Sequence, residues 1–252
     1  MSRRIAGVLV GVLLCAAALP LAAEPLKENF DKSYPIAADG RVSLSNVNGN
    51  VQVAVWDQNT VRVQAVKEAE SSEDLANLRI EVSATASSVA IETRYPSTHG
   101  SGHHHLSVEY TVTVPKGVSL DKFELVNGSL TAAGIGGRLR ARLVNGEAKL
   151  TGLTGSIEAH AVNGELDVEL DALAKGQEVE LETVNGGIEL RLPAAVGAEV
   201  RAKTVNGHLS NDFGVPVNKH EYVGADMTGT IGSGGAEVRL ETVNGKIKVT
   251  KK

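Results

Sequence analysis

The chain has 252 residues, with 25 lysines and arginines against 30 aspartates and glutamates, a formal net charge of −5 and one cysteine. That balance is a poor match for nucleic acid or anionic lipid, which require clustered cations. A single cysteine also excludes an intrachain disulfide framework.

The N-terminus speaks to the compartment. Arg3 and Arg4 precede an uncharged stretch from Ile5 to Leu19, and Ala22-Ala23 supply small residues before Glu24. This pattern is a secretory signal, residues 1–23, cleaved near Ala23, although Leu21 stands where a small residue is preferred. Cys15 follows Leu14 rather than a small residue, so it is expected to be a signal residue, with a lipid-anchored cysteine as the lesser alternative. The mature chain is then expected to be exported, most readily to the periplasm, with secretion or surface attachment as alternatives. It carries no second apolar stretch long enough for a stable membrane insertion.

Residues 24–118 are expected to form an N-terminal β region. Val42 and Leu44 lead into Val47-Asn48-Gly49, and Val51, Val53 and Val55 resume the alternation. Further strands are expected at Val61–Ala65, Ile80–Ala84, Val89–Thr93 and Leu106–Val114, with a charged helix or loop over Glu68–Leu78. These strands are suited to capping one end of the stack that follows.

Residues 119–252 are a repeat array. Val-Asn-Gly occurs seven times in the chain, at Asn48-Gly49, Asn127-Gly128, Asn145-Gly146, Asn163-Gly164, Asn185-Gly186, Asn206-Gly207 and Asn244-Gly245. From Asn127 the steps are 18, 18, 22, 21 and 38 residues, so a unit of about 20 residues is copied and the last copy is expected to span two units. Before each valine the residues alternate: Val179, Leu181 and Thr183 against Glu178, Glu180 and Glu182, and likewise Val238, Leu240 and Thr242 against Glu237, Arg239 and Glu241. After each glycine the alternation resumes, as in Ile188, Leu190 and Leu192. Each unit is therefore a strand, an Asn-Gly corner and a second strand. Asparagine and glycine are expected there because they reach left-handed backbone most cheaply.

Two architectures accept this unit. Type I′ hairpins would give an antiparallel meander or barrel. Stacked rungs would give a parallel β-solenoid, with like residues forming columns. The shared Thr183, Thr204 and Thr242 and the preserved valine favour the solenoid, and Lys246, Lys248, Lys251 and Lys252 suit a blunted edge at its far end.

Val42-Ser-Leu-Ser-Asn-Val-Asn-Gly-Asn-Val-Gln-Val53, Tyr110-Thr-Val-Thr-Val-Pro115, the Val-Asn-Gly series and Gly229-Thr-Ile-Gly-Ser-Gly-Gly235 occur in an order that resembles the bacterial adhesin-like family called domain-of-unknown-function family 4097. The resemblance covers nearly the whole mature chain. It implies an exported or membrane-exposed β-solenoid and transfers no catalytic residue.

Candidate chemistry is sparse. His99, His103 and His105 share one loop with His104 and could hold a divalent transition metal, but no carboxylate or cysteine accompanies them, so a solvated loop is the plainer reading. Glu147, Glu165, Asp167 and Glu189 could serve a polysaccharide-active enzyme as paired acids, yet Lys149 and Arg191 are interspersed with them. No nucleophile elbow, phosphate loop or cofactor signature is present. The expectation is a non-catalytic, cofactor-free binding or scaffold protein of the cell envelope. Its partner would be an envelope protein or polysaccharide. The alternatives are the polysaccharide-active enzyme and a purely structural assembly role.

Overall fold

A computed structural model describes residues 25–96, 105–220 and 223–252; the expected signal segment, with its expected cleavage site and Cys15, lies outside the described residues. In chain order the elements are β1 (Leu26–Pro35), β2 (Arg41–Asn48), β3 (Val51–Trp56), β4 (Thr60–Ala69), α1 (Ser72–Asn77), β5 (Arg79–Ala84), β6 (Ser88–Arg94), β7 (Ser107–Pro115), β8 (Ser119–Asn127), β9 (Leu130–Ala133), β10 (Leu139–Asn145) and β11 (Ala148–Leu153). They continue as β12 (Ile157–Asn163), β13 (Leu166–Leu170), β14 (Glu178–Asn185), β15 (Ile188–Leu192), β16 (Ala198–Asn206), β17 (Leu209–Asn211), β18 (Val217–Lys219), β19 (Ala225–Ile231), β20 (Ala236–Asn244) and β21 (Ile247–Lys251).

The strands form two facing sheets. One, ordered β18-β19-β16-β20-β14-β12-β10-β8-β2-β6-β5, holds every strand that leads into a Val-Asn-Gly corner. The other, ordered β1-β4-β7-β3-β9-β11-β13-β15-β21-β17, holds every strand that leaves one. Corner strands pair in parallel with like on like, for example Asn145 against both Asn127 and Asn163, and Asn185 against Asn244. This is a parallel β-solenoid and not a barrel. Antiparallel strands occur at the ends: β4 and β1 beyond β7, β5 beyond β6, and β19 and β18 beyond β16.

The period-two pattern becomes burial directly. In β14 Val179, Leu181 and Thr183 point inward while Glu180 and Glu182 point out. The space between the sheets is filled mainly by Val, Leu, Ile and Ala, with Tyr110 and Phe123 the largest fully buried side chains. A core so thin suits aliphatic residues, which explains an aromatic content of 3%.

Three expectations need correction. The first concerns the 38-residue step: it is no double rung. After β17 the chain leaves the stack through β18 and β19, then returns so that β20 inserts between β14 and β16. The threonine column therefore reads Thr183, Thr242, Thr204. The return is permitted because β20 carries the same alternation as both neighbours. Secondly, and for the same reason, the C-terminal lysines do not blunt an edge, since β21 lies between β15 and β17. Lys248 and Lys252 instead pair with Glu189 and Glu169 across rungs.

The third correction concerns the corner itself. No described residue other than glycine has a positive φ, and of the seven corner glycines only Gly49, at 116°, lies well inside the left-handed region. Glycine is required by proximity. A Cβ on Gly128 would stand 2.1 Å from the Gly49 carbonyl oxygen, on Gly164 1.9 Å from that of Gly146, on Gly186 1.8 Å from that of Gly164, and on Gly245 1.9 Å from that of Gly186. The same closeness lets each corner bond to the next. Gly128 N donates to the Asn145 carbonyl at 3.0 Å, and Asn145 Nδ2 donates to Asn127 Oδ1 at 2.9 Å. All seven asparagines form one unidirectional amide ladder, with links of 2.8–2.9 Å, that ends where Asn48 Nδ2 meets the Leu106 carbonyl.

Two adjacent glycines separate these explanations. Gly186→Ala should lower stability by about 2 kcal/mol or more through overpacking, whereas Gly187→Ala, whose Cβ would find its nearest atom 3.5 Å away, should change the thermal midpoint little. Asn145→Ala removes one ladder donor and one acceptor and should cost about 1 kcal/mol or more, read from denaturant unfolding.

Candidate functional site

Alternation carries through the last residue of each pre-corner strand, so Glu182 faces out, Thr183 faces in and Val184 faces out. The valine of Val-Asn-Gly therefore does not stack inside the solenoid. Val47, Val126, Val144, Val162, Val184, Val243 and Val205 follow one another along the outer face, each 38–43% exposed. Nine large hydrophobic side chains are exposed among the described residues, and these are seven of them. Apolar exposure is thus gathered into one stripe, and gathered exposure is what marks an interaction surface. With rungs about 4.8 Å apart, the stripe is about 29 Å long.

Beside it, two residues earlier in each strand, runs a polar column: Ser45, Glu124, Arg142, His160, Glu182, Glu241 and Lys203. Stripe and column together line an open groove of about 710 Å³. His160 sets part of its wall, with Nδ1 at 2.9 Å from Glu182 and Nε2 at 3.6 Å from Glu158. The groove floor is held by the buried column behind the valines, in which Thr183, Thr242 and Thr204 each donate to a glycine carbonyl of the neighbouring rung at 3.0–3.2 Å.

The groove ends at the rung made by β6 and β7, where no Val-Asn-Gly is present. There the Tyr95 hydroxyl donates to Asn46 Oδ1 at 2.8 Å and accepts from Asn48 N at 3.0 Å. Asn46 is buried and also donates to the Asn48 and Val108 carbonyls. Burial pushes the Tyr95 phenol up to about 12, because its anion would sit in this apolar end without solvation.

The outward carboxylates of the second sheet are arranged otherwise. Asp167 and Glu189 are cross-rung neighbours, and Arg191 binds both and Glu169 besides. Its guanidinium thus occupies the space an acid pair would need. Glu147 and Glu165 lie one position beyond their corners and belong to a different column. The structure therefore brings Asp167 and Glu189 together across rungs, with Glu147 and Glu165 in the neighbouring outward column. His105 is exposed just ahead of β7, while His99 and His103 lie outside the described residues. Among the described residues no group of three or more His, Cys, Asp or Glu side chains is placed to hold a metal ion. The corner asparagines and glycines are structural, and the valine beside them is what the sequence reading passed over. Its signal was present in the alternation, which assigns it to the outside.

A family model described as Toastrack DUF4097 matches residues 32–250. The chain belongs to this family. Among solved structures, a candidate cell adhesion protein from Clostridium sporogenes ATCC 15579 is similar over 91% of this chain and 100% of its own, at 14% identity and a TM-score of 0.52. A candidate adhesin from Bacteroides fragilis NCTC 9343 is similar over 90% and 100%, at 12% identity and a TM-score of 0.43. At 14% identity the likeness to the Clostridium sporogenes structure speaks for the fold alone. Comparison with curated proteins gave no match.

Tyr95 gives the site a pH dependence with a defined sign. Its folded pKa lies above the ordinary phenol value of 10.0, so its contribution is complete below pH 10 and is lost as pH rises through about 12. Unfolding titrations across that interval should show a steep fall in stability, and Tyr95→Phe should flatten the fall while costing about 1 kcal/mol at neutral pH.

Proposed function

We propose that this chain is an exported, non-catalytic, adhesin-like binding protein or scaffold of the cell envelope, and that it holds its partner in the valine groove. The observation that carries the reading is the stripe of seven exposed valines, placed on one line by the same corners that stack the rungs. An apolar centre with a charged rim is the anatomy of a protein contact, which favours an envelope protein over a polysaccharide as the partner. The rigid parallel stack presents the stripe with little ordering cost, since the five valines between Val47 and Val205 lie on rungs with a like rung on each side.

Export rests on the N-terminal pattern of Arg3, Arg4, Ile5–Leu19 and Ala22-Ala23, with the periplasm as the compartment proposed. Among the described residues no helix is long and apolar enough to cross a membrane. Against the polysaccharide-active alternative stands the Arg191 cluster, which ties up Asp167 and Glu189. No metal or cofactor is part of the proposal, and neither is nucleic acid.

Val144→Thr, Val162→Thr and Val184→Thr combined keep β-branching while removing apolar surface. The triple variant should unfold within about 1 kcal/mol of the parent, because each site is exposed, yet lose stoichiometric co-purification of an envelope protein that the parent retains. Lys149→Glu, on the other sheet, should retain it. Glycan turnover by the parent that disappears in Asp167→Asn or Glu165→Gln would overturn the binding reading.

A further inference from the structure

Seven Asn-Gly pairs in one exported chain carry a chemical hazard. Glycine offers no side chain to hinder its own nitrogen. That nitrogen can lose its proton and attack the preceding asparagine Cγ. The Cγ–Nδ2 bond then breaks, the amide leaves as ammonia with the transferred proton, and a five-membered succinimide remains. Water opens the ring at either carbonyl, leaving aspartate or isoaspartate, the latter with one extra atom in the backbone. Exposure does not rank the seven sites, since Asn127, Asn145, Asn163, Asn185, Asn206 and Asn244 are all exposed and Asn48 is half-buried.

Hydrogen bonding does rank them. Six of the corner glycine nitrogens are engaged: Gly49 N donates to the Asn127 carbonyl, Gly128 N to Asn145, Gly146 N to Asn163, Gly164 N to Asn185, Gly186 N to Asn244 and Gly245 N to Asn206, all at 2.9–3.1 Å. The asparagines of those six pairs also have both amide atoms committed, Nδ2 donating toward the N-terminal end of the stack and Oδ1 accepting from the rung on its other side. To react, each would have to break a backbone bond and rotate an amide held from two directions.

The remaining pair sits on the end rung. Insertion of β20 and β21 makes Asn206-Gly207 the last corner of the ladder, although it is not the last in sequence. Beyond it β19 pairs with β16 only as far as Thr204. Among the described residues the Gly207 N–H has no acceptor and Asn206 Oδ1 accepts no bond; the amide is tethered once, by Nδ2 to Asn244 Oδ1 at 2.9 Å. We propose that Asn206 is a modification site, deamidating through a succinimide to aspartate and isoaspartate while the stack protects the other six asparagines. The product carboxylate has no proton for Asn244 Oδ1, so the reaction converts the final ladder link into a repulsive contact. It thereby loosens the rung that carries Val205, the end of the apolar stripe.

The test is peptide mapping by mass spectrometry of the folded full chain held at mildly alkaline pH, with isoaspartate verified by enzymatic methylation. Asn206 should convert at least about tenfold faster than any other corner asparagine, the factor expected from one backbone hydrogen bond that need not be broken. In denaturant the seven should convert at similar rates, since each is then an unstructured Asn-Gly pair. An interior asparagine that converts as fast as Asn206 in the folded protein would overturn the proposal. So would an Asn206 that stays as slow as the six in the fold while converting normally in denaturant.

Discussion

Backbone meets backbone at every corner of this solenoid, and the rest of the structure depends on that contact. Where a Cβ would have to sit 1.7–2.1 Å from a neighbouring carbonyl oxygen, as at Gly128, Gly146, Gly164, Gly186, Gly207 and Gly245, only glycine allows the rungs to close. Closing them brings the asparagine amides within hydrogen-bond reach and hands the glycine carbonyls to the threonines behind. A repeated tripeptide is thus a repeated spacing constraint. It recurs because every rung must match the one beneath it, and not because each turn needs a special backbone conformation.

That constraint also decides what remains outside. With asparagine and glycine occupied at the corner and the preceding residue buried, the valine between them can only face solvent. Seven rungs turn one exposed side chain into a continuous apolar line. The opposite sheet shows how the same repetition can be neutralised: Arg191, Lys248 and Lys252 distribute themselves among Asp167, Glu169, Asp171 and Glu189. Partly exposed pairs of this kind add little stability each but leave no concentrated charge. One face is therefore balanced polar surface, while the other has a groove with an apolar centre.

The ends of the stack need separate solutions, since an uncovered rung is an open strand edge. At one end Tyr95, Asn46 and Leu106 complete the hydrogen bonds that a further Val-Asn-Gly would have made, and antiparallel β1, β4 and β5 cover the strands. At the other, β19 runs antiparallel to β16 and β18 antiparallel to β19, while the C-terminal rung of β20 and β21 is drawn inside the stack. The chain order of the rungs and their spatial order thus part company at Asn206. Among the described residues, its corner is the one whose glycine nitrogen has no acceptor.

The repeat, its alternation, the corner and the parallel stacking of like on like were all legible in the amino-acid sequence, because each depends on residues close together in the chain or on identity between copies. Burial of Thr183, Thr204 and Thr242 followed from period two alone. Three things waited for the tertiary structure. Why glycine is needed depends on an atom in another rung, which no local φ preference encodes. Which rung lies last depends on where β20 pairs, and β20 fits equally well beside any strand that shares its pattern. The significance of the valine depends on seven copies falling into line beside a mixed-charge column. Local patterning determined each rung, whereas the contacts between rungs determined their order, their protected corners and the surface they present.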